Sequence, residues 1–480
     1  MAAEDVSDPL LSGAFAPLRA EYDLADVPVE GDLPPALSGT LYRIGPNPRF
    51  PPLGPYNPLQ GEGMIHAFRI GGGRVAYRNR WVRTRRWRLE DAAGRALFAT
   101  GDPRLGDASV AGVDGQGAAN TQMVFHAGRL LALEEGHPPF EVAPGTLDPI
   151  GPYDFGGALE GPMTAHPKLD PRTGEMVFFG NFPDRRFDGA LALHMADAAG
   201  RLVRSARIAG PYPALVHDFA ITARWVVFVV CPLTLSLERL RAGRPPVAWE
   251  PGRGSWLGLI PRAGGEASWR PAPPGMAWHT LNAFEADGAI HLDLCLQAAP
   301  AFPLADSGAD SGAGSWADGA TTPEADLRQR LYRWSFAPEG GEVATRRLSD
   351  EVCEYPRIDE RFLGWPCRYG FLGAGGGPGT GDLLHRAIGV FDHAEGRMAL
   401  WRAGPGQSVS EPVFAARPGS DREGDGWLLS VVYEAAEDRS WLGVFDAGAA
   451  EAGPIARADL PHRVPAGFHG IFVASRVGGR

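Results

Sequence analysis

The sequence predicts an all-β fold, and three observations carry that reading. Short β-rich runs recur along the chain between turn signals. The 64 glycines and 44 prolines supply those turns, and convincing helical stretches are few. At 480 residues there is room for several four-stranded blades of about 50 residues each, so a β-propeller fits better than a sandwich or a barrel.

Taken in order, residues 1–35 read as an N-terminal arm that either packs on the body or stays mobile. GTLYRIG opens the strand series. MIHAFRI and VAYRNRWV form a hairpin through the glycines at 71–73, which supply the positive-φ positions of a tight turn. The basic cluster Arg80, Arg83, Arg85, Arg86 and Arg88 alternates with Trp81, Val82, Trp87 and Leu89. It therefore reads as the solvated face of one strand rather than as an anion site. MVFHAGRLLALEE, WVVFVVCPL, SWLGLIPR, AIHLDLCL, RLYRWSF and GWLLSVVYE read as further strands, and DPRTGEMVFFG and DHAEGRMALW as hairpins. Residues 299–328 are small, acidic and rich in Gly and Ser, and read as a long exposed loop. No linker divides the chain, so one domain over 1–480 is expected.

Composition narrows the function classes. Hydrophobic residues make up 44% and charged residues 21%, which is ordinary for a soluble globular protein. A net charge of −11, from 57 acidic against 46 basic residues, argues against a nucleic-acid partner. No apolar run approaches the ~18 residues of a membrane span, and the acidic start lacks a signal-peptide pattern, so a cytoplasmic protein is expected. Four scattered cysteines, Cys231, Cys295, Cys353 and Cys367, read as free thiols in a reducing compartment.

Among the 12 histidines, His166 (TAHPKLDP), His217 (LVHDFAIT), His279 (AWHTLNAFE) and His469 (AGFHGIFV) stand at or near strand starts among apolar or aromatic neighbours. In a propeller, matching positions on successive blades point to one axis, where distant residues can converge on a metal. Taken singly, each is more often a core histidine bonded to a carbonyl. Other sites fare worse: GAGGGPGTGD at 373–382 lacks the GK[ST] ending of a phosphate loop, and there is no GxSxG elbow or HExxH helix.

The histidine contexts resemble the motifs of the carotenoid cleavage oxygenase family. So do LSGTLYRIGPNPRF, GEGMIHAF, the Asn-Thr of ANTQMVFHAGRLLALEE, CEYPRID and EGDGWLLSVV, in the family's order over nearly the whole chain. The resemblance implies a seven-bladed β-propeller with a loop and short-helix dome over an axial iron. It implies that His166, His217, His279 and His469 hold Fe(II), with Glu135, Glu354 and Glu423 orienting the imidazoles and Thr121 beside the open metal positions. Imidazole suits divalent iron. The implied reaction is oxidative cleavage of a conjugated C=C bond by O2 into two carbonyl products. The substrate would be an apolar small molecule in a tunnel, with Phe68, Phe302 and Trp365 as candidate walls.

Within the family, SLERLRAGRPPVAWEPGRGSWLGLIPR and DGWLLSVVYEAAEDRSWLGVFDA look most like bacterial enzymes of lignostilbenes, stilbenes and phenylpropenes. Those enzymes place a Lys and a Tyr to activate a phenol, but Glu134 and Thr100 stand at the matching positions here. A carboxylate repels a phenolate, so an apocarotenoid leads and a stilbene or phenylpropene follows. A non-catalytic ligand-binding propeller is the competing class; it would lack a stoichiometric metal. FPPLGPYNPL at 50–59 is a candidate apolar rim for peripheral membrane contact. A monomer or homodimer is expected.

Overall fold

A computed structural model describes residues 8–100, 103–184, 186–242, 244, 246–300, 326–377 and 383–475. The chain divides into two compact units, 1–156 with 403–480, and 157–402.

Among the described residues, the second unit holds four antiparallel sheets of four strands in up-and-down order, and a separate two-stranded pair, Leu233–Leu235 with Val247–Trp249. The four-stranded sheets are Lys168–Leu169 to Leu202–Ile208, Phe219–Ile221 to Ser268–Ala272, Met276–Ala286 to Gly340–Arg347, and Cys353–Arg357 to Arg397–Arg402. Strands such as Trp225–Val230 are apolar on both faces because each sheet is covered on both sides. Phe179 packs edge-on against Phe219 and Phe228, filling the space between the first and second of these sheets. Each such ring, fully buried, contributes about 1.5–3 kcal/mol.

The first unit holds three sheets. One is the simple meander Gln122–His126 to Pro149–Pro152. The other two combine both ends of the chain: Gly470–Ala474 pairs with Gly39–Pro46, and Val29–Gly31 pairs with Pro454–Asp459. With the four of the second unit these make a seven-bladed β-propeller.

The hairpin expected at 71–73 forms with a two-residue loop. Gly71 pairs with Arg74, and Gly72 and Gly73 take φ of 58° and 72°, a mirror-image turn that suits strand twist.

Three expectations need amending. The 1–35 arm is woven into the body over its described residues: Asp23–Val27 adds an edge strand to Arg74–Trp81, and Val29–Gly31 enters another sheet. The basic cluster is not one strand face. The strand ends at Trp81, Thr84 caps the new helix through the Trp87 amide, and Arg85–Ala93 is α-helical up to Gly94 at φ 68°. Most of these arginines are engaged: Arg83 lies over Trp87 at 3.7 Å and bonds Glu21 at 2.8 Å, while Arg86 bonds Glu90 at 3.2 Å. Alternating charge and apolarity mimicked a strand because a capping threonine in mid-run was overlooked. The 299–328 loop lies largely outside the described residues, but Ala299 and Leu327 near its ends pack into a hydrophobic core. Among the described residues, no helix is long and apolar enough to cross a membrane.

Candidate metal centre

Three of the histidines come from three successive sheets of the second unit. His166 precedes the strand Lys168–Leu169, and its amide bonds the Thr164 hydroxyl at 3.1 Å. His217 precedes Phe219–Ile221. His279 lies inside Met276–Ala286, where that strand loses register with its neighbour between Ala277 and Thr280. Such a register break re-aims a side chain that regular alternation would fix. The Nε2 atoms of His166 and His217 are 3.1 Å apart, and those of His217 and His279 are also 3.1 Å apart.

His469 precedes the strand Gly470–Ala474, and its amide bonds the Thr121 carbonyl at 3.2 Å. It completes the group: one ring nitrogen from each of the four histidines lies within 4.8 Å of the others.

Buried carboxylates fix two of the rings. Glu354 Oε2 accepts from His279 Nδ1 at 2.7 Å, and Gln329 Nε2 donates to its Oε1 at 3.1 Å. Burial pushes the Glu354 carboxyl up, but the neighbouring His279 and the hydrogen bonds outweigh it and hold it below the usual range. Tyr355, the next residue, takes φ 53°, a left-handed conformation costly for an aromatic residue, at another register break. On His469, Glu411 Oε1 accepts from Nδ1 at 2.9 Å, and Glu411 Oε2 accepts from the Gly470 amide at 2.9 Å.

The donor set fits a divalent transition metal. With Nδ1 of His279 and His469 donating to carboxylates, their Nε2 atoms carry bare lone pairs. His217 Nε2 faces two other Nε2 atoms and can donate to only one of them. A cation resolves that conflict. Two nitrogens at right angles on a metal about 2.1 Å away stand about 3.0 Å apart, close to the spacings found.

The remaining candidates separate. Glu423 is a correction: it lies in the turn joining Val413–Ala416 to Gly426–Glu434, at the far end of that hairpin from Glu411. Glu411 stands in SEPVF, which carries none of the resembling motifs; an acid amid an apolar run is its one local signal. Glu135 is half-buried, two residues past the strand Arg129–Leu133. Thr121 is buried, and its hydroxyl donates to Asn120 Oδ1 at 2.9 Å. Phe68 is a further correction: it is fully buried in the core of the first unit with Tyr77 and Trp427, so it is packing rather than a tunnel wall. Trp365 is half-buried and carries the Arg172 guanidinium 3.3 Å over one face of its ring. Phe302 lies outside the described residues. The Thr100 hydroxyl accepts from the Asn57 amide at 3.0 Å and so anchors a loop. Glu134 Oε1 meets His137 Nδ1 at 2.5 Å, with Asp114 at 3.3 Å from the ring's other nitrogen.

Four imidazoles meeting in a β-propeller, with carboxylates behind two of them, make a group that could hold a metal ion without a haem. The chain belongs to the carotenoid cleavage oxygenase family: residues 15–474 match the family described as Retinal pigment epithelial membrane protein. It is 35% identical to isoeugenol monooxygenase of Pseudomonas nitroreducens, over 98% of this chain and 99% of the relative. Lignostilbene dioxygenase of Pseudomonas brassicacearum superposes with a TM-score of 0.90 at 32% identity, over 98% of this chain and 99% of the other. A Synechocystis apocarotenoid oxygenase does so with 0.83 at 31%, over 96% and 97%.

Proposed function

We propose that the four histidines hold Fe(II) and that the chain cleaves the conjugated double bond of an apocarotenoid with O2, giving two carbonyl products. The single observation that carries the chemistry is the convergence of four ring nitrogens within 4.8 Å. Bound iron would supply the means of passing electrons to O2, which a closed-shell ion such as zinc lacks. The protein's own part is to hold neutral ligands in place. Glu354 and Glu411 orient two of them, and the family resemblance gives Glu135 a like part.

The substrate reading rests on Glu134. A phenol that gives up its proton near the metal needs a cation or a hydroxyl to steady the developing charge. Here Glu134 and Asp114 set two carboxylates against the single imidazole of His137, and the Thr100 hydroxyl is taken up by the Asn57 amide. A hydrocarbon chain without a free 4-hydroxyl suits that charge. A second reading, a phenylpropene or stilbene, is favoured by the greater likeness to lignostilbene dioxygenase, at a TM-score of 0.90 against 0.83.

Iron-loaded protein assayed aerobically on apocarotenoids, stilbenes and phenylpropenes, with mass spectrometry of the products, separates the readings. Carbonyl pairs from the apocarotenoid support the first. Glu134→Lys is expected to gain about tenfold or more on 4-hydroxystilbenes, the lower range for a positioned acid–base group. Efficient cleavage of 4-hydroxystilbenes by the parent, unchanged in Glu134→Ala, would favour the second. Failure on every alkene with stoichiometric iron bound would refute the activity.

A further inference from the structure

The three histidines of the second unit are tied together behind the ring nitrogens by a side chain that no ligand motif requires. Asp218 follows His217 and is 6% exposed. Its Oδ1 takes Lys168 Nζ at 2.7 Å and its own Phe219 amide at 2.7 Å. Its Oδ2 takes the Thr280 amide and the Thr280 hydroxyl, both at 2.8 Å. Lys168 stands two residues after His166, and Thr280 follows His279. One carboxylate therefore joins the backbones that carry all three imidazoles. Thr164 adds a further tie: its hydroxyl takes the His166 amide at 3.1 Å and lies 3.4 Å from the His217 carbonyl.

A buried ion pair is weak support for stability, because desolvating two charges consumes most of the Coulombic gain. What a saturated carboxylate provides is geometry: four donors fix its plane, and its plane fixes the three strand starts. We propose that Lys168, Asp218 and Thr280 form a positioning brace that holds His166, His217 and His279 in ligating register before any metal arrives. The proposal rests on the metal reading above. The brace residues touch neither substrate nor metal; they act through the histidines.

Co(II) serves as the probe, with affinity from competition against a chelator, the visible absorption of the bound ion, and the melting temperature of the metal-free protein. The parent should bind about one Co(II) per chain. Asp218→Asn and Lys168→Met should lose about tenfold or more in Co(II) affinity and alter the absorption bands. Either single change strands a buried charge and should lower the metal-free melting temperature, whereas the double variant Asp218→Asn with Lys168→Met, which removes both charges, should melt within about 4 °C of the parent and still lose the affinity. Thr280→Val should weaken binding and Thr280→Ser should restore it, which keeps the question decidable if Asp218→Asn does not fold. Variants with parental affinity and bands would overturn the brace. So would a loss of melting temperature with unchanged affinity in the folded fraction, since that is a structural role only. A parent that binds no Co(II) would overturn the metal reading itself, and the variants are not needed to see it.

Discussion

Glu354→Gln tests the link between a buried carboxylate and the ring it orients. In the parent, Oε2 accepts from His279 Nδ1 at 2.7 Å and Oε1 from Gln329 Nε2 at 3.1 Å. A glutamine has one acceptor oxygen, so it serves His279 only by turning its NH2 toward Gln329. Gln329 can answer by flipping its own amide, and the remaining loss is then that of a charged acceptor replaced by a neutral one, about 1 kcal/mol. If packing prevents the flip, two donors face each other in a buried site and a further 1–3 kcal/mol or so is lost. The first loss alone is worth about fivefold in iron retention and the two together about 30- to 1,000-fold, which brackets the 10–100-fold usual for such partners. Anaerobic loading with Fe(II), followed by chelator competition with the melting temperature read in parallel, measures it. Retention within about twofold of the parent, well below the 10–100-fold usual for such partners, would refute the reasoning.

The two glutamates near the C-terminus should behave oppositely. Glu411→Gln is expected to reduce iron retention by about 10–100-fold, while Glu423→Gln is expected to leave it unchanged in the same competition assay; the reverse order would reinstate Glu423. Glu62 makes a pH prediction. Burial first, then the hydrogen bond and charge of Glu90, raise its carboxyl from 4.5 to about 8 against the pull of Arg86. The folded protein thus holds this proton more tightly than the unfolded chain. The stability it brings is complete below about pH 4.5 and is lost as pH rises through about 8. Glu62→Gln should flatten that loss, so that between pH 6 and pH 9 the parent loses up to about 3 kcal/mol more stability than the variant, read as a larger fall in melting temperature. Parallel pH profiles would count against the shift.

What was legible in the sequence was whatever a residue announces through its neighbours. The histidines stand in apolar strand starts, and CEYPRID singles out Glu354 through the family resemblance. Glu411 was not legible in the same way. EGDG is a Gly-rich acidic turn, which belongs at a hairpin tip, and the carboxylate that reaches His469 comes from the other end of the same hairpin. Phe68 and Trp365 show a second limit. Whether an aromatic ring lines a tunnel or fills a core depends on partners such as Trp427 and Arg172, remote in sequence, that no local pattern reveals. The helix at Arg85–Ala93 shows a third: period-2 alternation over ten residues outvoted a single threonine cap.

The charges around the site explain why these particular residues are buried together. A divalent ion held by four neutral imidazoles keeps its full charge, which a low-dielectric interior tolerates only if opposite charge lies close by. Glu354 and Glu411, 5% and 2% exposed, supply two negative charges, each one ring away from the ligating nitrogens. Asp218, also buried, would upset that balance alone, but Lys168 sits at 2.7 Å and cancels it. Glu135 is half-buried, with its Oε1 shielded from water. The charges of Glu354, Glu411, Asp218 and Lys168 sum to zero once a divalent ion is in place, and these groups together then offer a charged substrate no net attraction. An uncharged alkene loses nothing by that. On the function proposed above, the contacts that choose one such ligand over another would be apolar, and the Glu134, His137 and Asp114 cluster would disfavour a phenolate.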